Sequence, residues 1–133
     1  MKMKLATAFL ADAANVREGL LNVLSGFVNQ IQRPEYPAAL GVALVIVVEI
    51  EPMGEDVNSL IQLSFELHRD LDGAEIAASE AELEIKGDML RRAFIPITLP
   101  LHDLEIPETG TYSLTVRAGD EEVGFELYAD LVD

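Results

Sequence analysis

The sequence predicts an all-β domain, an immunoglobulin-like antiparallel β-sandwich of about eight strands. Three observations predict this fold class. Apolar and polar residues alternate along several segments, turns containing Gly and Asp separate those segments, and the last segment but one opens with Pro-Glu-Thr-Gly-Thr-Tyr. A period of two places apolar side chains on one face of a sheet, and a wet opposite face is typical of antiparallel sheets. We predict a single domain over residues 1–133, since domains typically have about 100–150 residues.

The N-terminal third gives the weakest pattern. Residues 6–24 are rich in Ala and Leu, as a helix would be, but Gly19 and Gly26 interrupt the run and apolar residues recur at even spacings. We therefore favour strands, although the conformation of residues 6–24 stays open. The predicted elements are a strand at Lys4–Ala11, a turn or helical turn at Asp12–Glu18, and a long strand from Leu20 to Gln32.

The segment Leu40–Ile50 is apolar on both faces and rich in β-branched residues, which favours a central strand. A two-layer sandwich needs only one apolar face. The other face, at Ala43, Val45 and Val47, is covered either by the N-terminal region or by a second protomer. These three residues are interface candidates, because leaving several such side chains wet would cost a few kcal/mol at about 25 cal/mol per Å².

The remaining strands alternate cleanly. They are predicted at Leu60–His68, residues 80–86, Arg92–Leu99, Thr111–Ala118 and Glu122–Leu131. Glu80, Glu82 and Glu84 form a carboxylate row that discourages edge-to-edge pairing, and Pro96 predicts an edge strand or a bulge.

The Pro-Glu-Thr-Gly-Thr-Tyr motif narrows the fold further. Tyr112, two residues after Gly110, opens the last strand but one, as in the tyrosine corner of immunoglobulin-like sandwiches. In that corner the ring packs into the core and the hydroxyl bonds to the preceding backbone. The chain has no Cys or Trp, so the resemblance is to sandwiches without a disulfide.

The chain opens with Leu5-Ala6-Thr7-Ala8-Phe9-Leu10-Ala11-Asp12-Ala13-Ala14 and, after Asn15, Val16-Arg17-Glu18-Gly19-Leu20-Leu21. These residues fit the pattern L-A-x-x-F-L-x-D-A-A-x-V-R-x-G-L-L, which resembles a bacterial family of uncharacterised small β-rich proteins, a domain of unknown function. The family has no assigned activity, so the resemblance implies no catalytic residue. Within the motif, Arg17 and Glu18 lie at a predicted turn, where a salt bridge that fixes the turn is favoured over a functional role.

Charge excludes two classes of partner. The chain has 9 basic and 24 acidic residues and a net charge of −15. It would be repelled by nucleic acid and by anionic membrane surfaces. No apolar run reaches the roughly 20 residues that cross a bilayer, and no signal peptide is evident. We expect a cytoplasmic protein.

Motifs for chemistry are missing. His68 and His102 lack the close ligand spacing of zinc sites, and no nucleophile elbow or phosphate-binding loop is present. We predict no enzyme, no catalytic residue, no metal and no cofactor. One alternative is calcium binding by Glu55 and Asp56, or by Asp70 and Asp72, although Asp-Leu-Asp-Gly is more simply a hairpin turn. Another is carbohydrate binding, which the low aromatic content disfavours.

The predicted function is therefore a non-catalytic protein-interaction module. It binds a protein partner or forms a homodimer, and the face of Ala43, Val45 and Val47 is the surface predicted to do so.

Overall fold

The structure, a computed structural model, describes residues 2–51, 57–87 and 92–132. It is all-β, with no helix in those residues, and two main sheets pack around one large apolar core. The prediction of a β-sandwich is confirmed. The described strands are β1 (Lys2–Arg17), β2 (Leu20–Gly26), β3 (Gln30–Arg33), β4 (Ala38–Ala39), β5 (Ala43–Glu51), β6 (Val57–Arg69), β7 (Glu75–Gly87), β8 (Ala93–Pro100), β9 (Glu105–Ile106), β10 (Gly110–Ala118) and β11 (Glu121–Leu131).

The first sheet has the strand order β2-β1-β5-β8 and is antiparallel throughout. The second has the order β3-β11-β10-β6-β7, in which only β3 and β11 run parallel. A small pair, β4 and β9, lies outside these sheets. Four strands therefore end the two main sheets: β2 and β8 in the first, β3 and β7 in the second.

Alternation along β5 separates two clusters of apolar side chains. Leu44, Ile46 and Val48 are buried in the main core, which also takes side chains from β6, β10 and β11. Val45 points to the opposite face, where it packs with Phe9 and Ala11 of β1 in a second, smaller cluster. The double-sided apolar pattern of this strand thus reflects two separate clusters, one on each face.

The interface candidates lie largely inside the chain. Ala43 and Val45 are buried, and Val47 is partly buried against the smaller cluster. Of the two alternatives that the sequence left open, cover by the N-terminal region describes the structure, because Val45 packs with Phe9 and Ala11 of β1, and Ala14 and Leu21 pack against the same cluster. Ala43 and Val45 have almost no exposed surface in the protomer with which to form an interface.

The N-terminal prediction is wrong in its boundaries. A single strand, β1, runs through the predicted turn at Asp12–Glu18 and ends at Arg17, and the chain reverses at Glu18 and Gly19. The predicted long strand is divided, since β2 ends at Gly26 and β3 begins at Gln30 in the other sheet. The later strands agree with prediction, and Pro96 lies on the edge strand β8.

Candidate functional site

Strand β1 extends beyond the sandwich. Its first part pairs with β5 as far as Ala11, which lies opposite Ala43. Beyond that point β1 pairs only with β2, up to Arg17 opposite Leu20. Residues 12–26 therefore form a two-stranded hairpin, here called the arm. Among the described residues no further strand pairs with either outer edge of the arm.

The arm exposes large apolar side chains. Leu20 and Leu24 are 68% and 64% exposed, and Val16 and Val23 are also exposed. Only Ala14 and Leu21 are partly sheltered, against the smaller cluster. The arm is nearly uncharged as well, because Asp12, Arg17 and Glu18 are its only charged residues and leave a net charge of −1 out of −15.

The tip of the arm is a tight hairpin turn. Glu18 and Gly19 both have positive φ, 54° and 75°, as the two central residues of a type I′ turn do. This turn matches the right-handed twist of the strands that it joins. Below it, the side-chain amide of Asn22 donates to Asn15 Oδ1 at 3.1 Å across the two strands. The tip is thus locally specified without any layer packed over it.

The base of the arm carries backbone strain. Ser25 and Phe27 have φ of 52° and 60°, a conformation that costs a residue with a Cβ about 1–3 kcal/mol. Phe27 stacks on Phe9 with ring centroids 4.5 Å apart, and Val28 N donates to Leu10 O at 2.8 Å. These contacts hold the bend at which the chain leaves the first sheet for the second.

An open cleft of about 400 Å³ lies beside this bend. It runs between β1 at Ala8 and Leu10 and β11 at Val123 and Phe125, with Phe27 at its rim. Phe27 is 72% exposed despite its stack on Phe9. The apolar surface of the arm thus continues into an apolar cleft at its base.

The outer face of the second sheet is acidic and internally paired. Arg117 of β10 forms ion pairs with Glu66 of β6 at 3.1 Å and with Glu122 of β11 at 2.9 Å. These carboxylates hold the pKa of the guanidinium above its ordinary value. Gln62 donates to Glu82 on β7 at 2.7 Å. The acidic charge of the chain therefore lies on the sandwich and not on the arm.

Tyr112 has the geometry of a tyrosine corner. The side chain is fully buried, and its hydroxyl donates to Glu108 O at 2.7 Å. Burial raises the pKa of the phenol, so it stays protonated and able to donate. Gly110 has a φ of 142°, a conformation that favours glycine. Both residues belong to the sandwich and not to the arm.

The calcium candidates are engaged by protein groups. Asp72 accepts two hydrogen bonds from Arg69, at 3.0 and 2.7 Å, and one from Ala74 N at 3.0 Å. Asp70 accepts from Ser113 Oγ at 2.6 Å. Glu55 and Asp56 lie outside the described residues. In the part of the chain that is described, no group of three or more His, Cys, Asp or Glu side chains could hold a metal ion.

The two histidines lie apart. His102 Nε2 is 3.0 Å from Asp12 O, at the base of the arm, whereas His68 lies in β6 opposite Ser113.

A helix long and apolar enough to cross a membrane does not occur in the described ranges.

Comparison with known families identifies the family of the chain. Residues 6–127 match the family of unknown function DUF6941. The chain belongs to DUF6941. No curated protein matches it. The DUF6941 match spans both the arm and the sandwich, so the arm is part of the family's own domain and not an appended segment.

Sequence reasoning found the residues of the arm but not the arm itself. The motif that carries the family resemblance ends within it, and of the predicted turn at Asp12–Glu18 only Glu18 lies in the turn of the structure. The missed signal is the stretch Leu20–Gly26, which has no charge and no proline and in which Leu20, Leu21, Val23 and Leu24 are apolar.

Proposed function

We propose that this DUF6941 chain is a non-catalytic protein-interaction module whose contact surface is the arm. One observation supports the proposal above all: a two-stranded hairpin projects from the sandwich with Leu20, Leu24 and Val23 exposed. A hairpin of two strands is marginally stable at best in water. A partner that packs on the arm removes its apolar side chains from water. It either covers one face of the hairpin or adds a third strand to its edge.

The chemistry of the arm fits a protein partner. The fully buried centre of a protein–protein interface is depleted of charged residues, and the arm concentrates its uncharged residues between Leu20 and Gly26. An exposed strand edge adds main-chain hydrogen bonds with a partner strand. The arm offers both an apolar surface and such an edge.

Three finer assignments are part of the proposal. The hydrogen bond from Tyr112 to Glu108 supports the immunoglobulin-like, disulfide-free branch of β-sandwiches. The opening motif supports a bacterial origin. A cysteine-free chain is compatible with the cytoplasm, where thiols stay reduced.

A photo-cross-linking amino acid tests the proposal in cells that produce the protein. We place it at Leu24 of the arm and, as a matched control, at Phe94 of β8, which is 60% exposed. We expect a covalent protein adduct from position 24 and none from position 94, with the captured protein identified by mass spectrometry. No adduct at position 24, or equal adducts at both positions, would overturn the proposal.

A further inference from the structure

We propose that the occupant of the arm is the arm of a second copy, with the two β2 strands paired antiparallel, edge to edge, about a two-fold axis. This inference rests on the proposed interaction function and names its partner. The pairing joins the two four-stranded sheets of the protomers into one sheet of eight strands.

The four strands at the ends of the two main sheets differ in how well their free edges are protected from pairing. Free edges invite pairing with other chains, and proteins block them with charges, prolines, bulges or short strands. Three of the four edges are blocked in this way. β7 carries the glutamate row that includes Glu80 and Glu82, β8 contains Pro96 and Pro100, and β3 has only four residues and ends at Arg33.

The fourth edge has none of these devices along Leu20–Leu24, and the irregular residue Ser25 lies at its end next to the sandwich. β2, Leu20–Gly26, has seven residues without a charge or a proline, and its pairing with β1 has no register shift. The other outer edge of the arm, on β1 beyond Ala11, carries the charged residues Asp12 and Arg17. The edge of β2 is thus left open where the other free edges are blocked, and it is suited to pairing.

Symmetry makes β2 its own best partner. A two-fold contact places the same surface on both sides, so an antiparallel strand pair needs no second recognition element. The unpaired amide and carbonyl groups of one β2 edge are complementary to those of its copy. Its uncharged side chains bring no like charges together across the pair.

Charge selects the arm over any other surface for self-association. Each protomer has a net charge of −15, of which the arm carries −1. The arm extends about six residues beyond Ala11, about 20 Å at 3.3 Å per residue. Repulsion between exposed charges is largely screened beyond about 8 Å at physiological salt. Pairing at the arms therefore keeps the acidic sandwiches apart, whereas contact between their acidic faces would not.

A basic protein is a weaker occupant of the arm. Its charges would be drawn to the acidic face around Glu66 and Glu122, because the stretch from Leu20 to Gly26 offers no charge to recognise. A partner that binds both regions would be a different protein, and the photo-cross-link at Leu24 would identify it.

Symmetry also supplies a sharp test. Directly opposed residues in an antiparallel pair share a face of the sheet, and a two-fold axis perpendicular to the sheet keeps each residue on its face. One residue of β2 must therefore lie opposite its own copy. Opposed Cα atoms are about 4.5–5.5 Å apart, within the range of a disulfide. The chain has no cysteine, so single-cysteine variants report on this pairing alone.

The scan uses Leu21→Cys, Asn22→Cys, Val23→Cys and Leu24→Cys, each oxidised mildly in the full-length protein. We expect one of the four to form a disulfide-linked dimer nearly completely, and the residues next to it to remain largely reduced. The matched control is Val16→Cys, on the other strand of the arm. Val16 is 39% exposed and Val23 41%, so accessibility is equal, but the control should stay reduced because β2 separates it from the partner.

Light scattering gives the second readout. At about 100 µM, which populates dimers with micromolar dissociation constants, the wild type should have twice the protomer mass of 14.5 kDa. Leu24→Lys should have the protomer mass with an unchanged circular dichroism spectrum, and Phe94→Lys should remain dimeric. A monomeric wild type, together with the absence of a disulfide-linked dimer in all four cysteine variants of β2, would overturn the pairing.

The two proposals fail differently. If the pairing fails while the photo-cross-link at Leu24 captures another protein, the arm is an interaction surface for that protein and the inference of self-pairing is wrong. If the photo-cross-link captures nothing, both proposals are wrong.

Discussion

The arm and the sandwich share strand β1, yet the same strand is buried in one and exposed in the other. Leu10 and Ala11 have almost no exposed surface, whereas Val16, a few residues further along, is exposed. Beyond Ala11 the strand gains polar residues such as Asn15 and Arg17, while Val16 keeps an apolar side chain. The surroundings change as well, because β5 flanks β1 only as far as Ala11. Alternation therefore specifies a strand, and neighbouring strands decide whether its apolar side chains are buried.

The difference predicts where the chain tolerates change. In the sandwich, buried side chains such as Val45 pack against neighbouring strands and have no exposed surface. In the arm, most side chains contact only the hairpin. Regions with few buried contacts open at lower free energy than the core of the same protein. Substitutions in the arm should therefore change the stability little but impair binding, whereas substitutions in the core of the sandwich should reduce the stability.

The largest expected contrast comes from the same substitution in the two regions. Val45→Lys places an unpaired charge at a fully buried site, which costs several kcal/mol after relaxation, against a total stability of about 5–15 kcal/mol. We expect it to unfold the protein or nearly so. Leu24→Lys should change the free energy of unfolding by about 0.5 kcal/mol or less, as exposed substitutions do.

Urea denaturation of both variants measures this contrast, at a protein concentration low enough to keep the chain monomeric, so that association does not add apparent stability. A folded Val45→Lys that is monomeric while the wild type is dimeric would reverse the conclusion. It would restore the face of Ala43, Val45 and Val47 as the interface.

Tyr112 offers a smaller effect within the sandwich. Tyr112→Phe removes the partly buried hydrogen bond that the Glu108 carbonyl accepts at 2.7 Å, so we expect a loss of about 1 kcal/mol. Tyr128→Phe is the control, since its hydroxyl donates to the exposed Glu126 carboxylate and should contribute little. Equal effects of the two variants in thermal or urea unfolding would contradict the assignment of the corner.

The sandwich could be predicted from the sequence and the arm could not, for a physical reason. The two clusters on β5 follow from a local pattern of apolar residues on both faces, and the corner follows from a motif of six residues. The arm depends on where β5 begins, at Ala43, far from the arm in sequence. Its turn was also hard to predict, because Glu18 takes a positive φ that Asn, Asp or Gly usually supplies.

The two hairpin turns give the smallest contrast. The arm turns at Glu18 and Gly19 at an exposed tip, whereas the turn between β6 and β7 is held by Asp72. The hydrogen bonds from Arg69 lower the pKa of the Asp72 carboxyl from 3.8 to about 2, and the bond from Ala74 N adds to the effect. A pKa depressed in the folded state means that the ion pair stabilises the protein fully above pH 3.8 and loses this contribution as the pH falls through about 2.

The stabilisation is small because solvent screens the pair, with the Asp72 side chain 48% exposed. We expect the carboxyl carbon of Asp72 to titrate near pH 2 in NMR spectra. Asp72→Asn should remove the part of the acid sensitivity that belongs to this turn and leave the arm unchanged. If Asp72 instead titrates at its ordinary value, Arg69 does not hold this turn in solution. The carboxylate would then be free to bind a cation, and the turn of the sandwich would be as open as that of the arm.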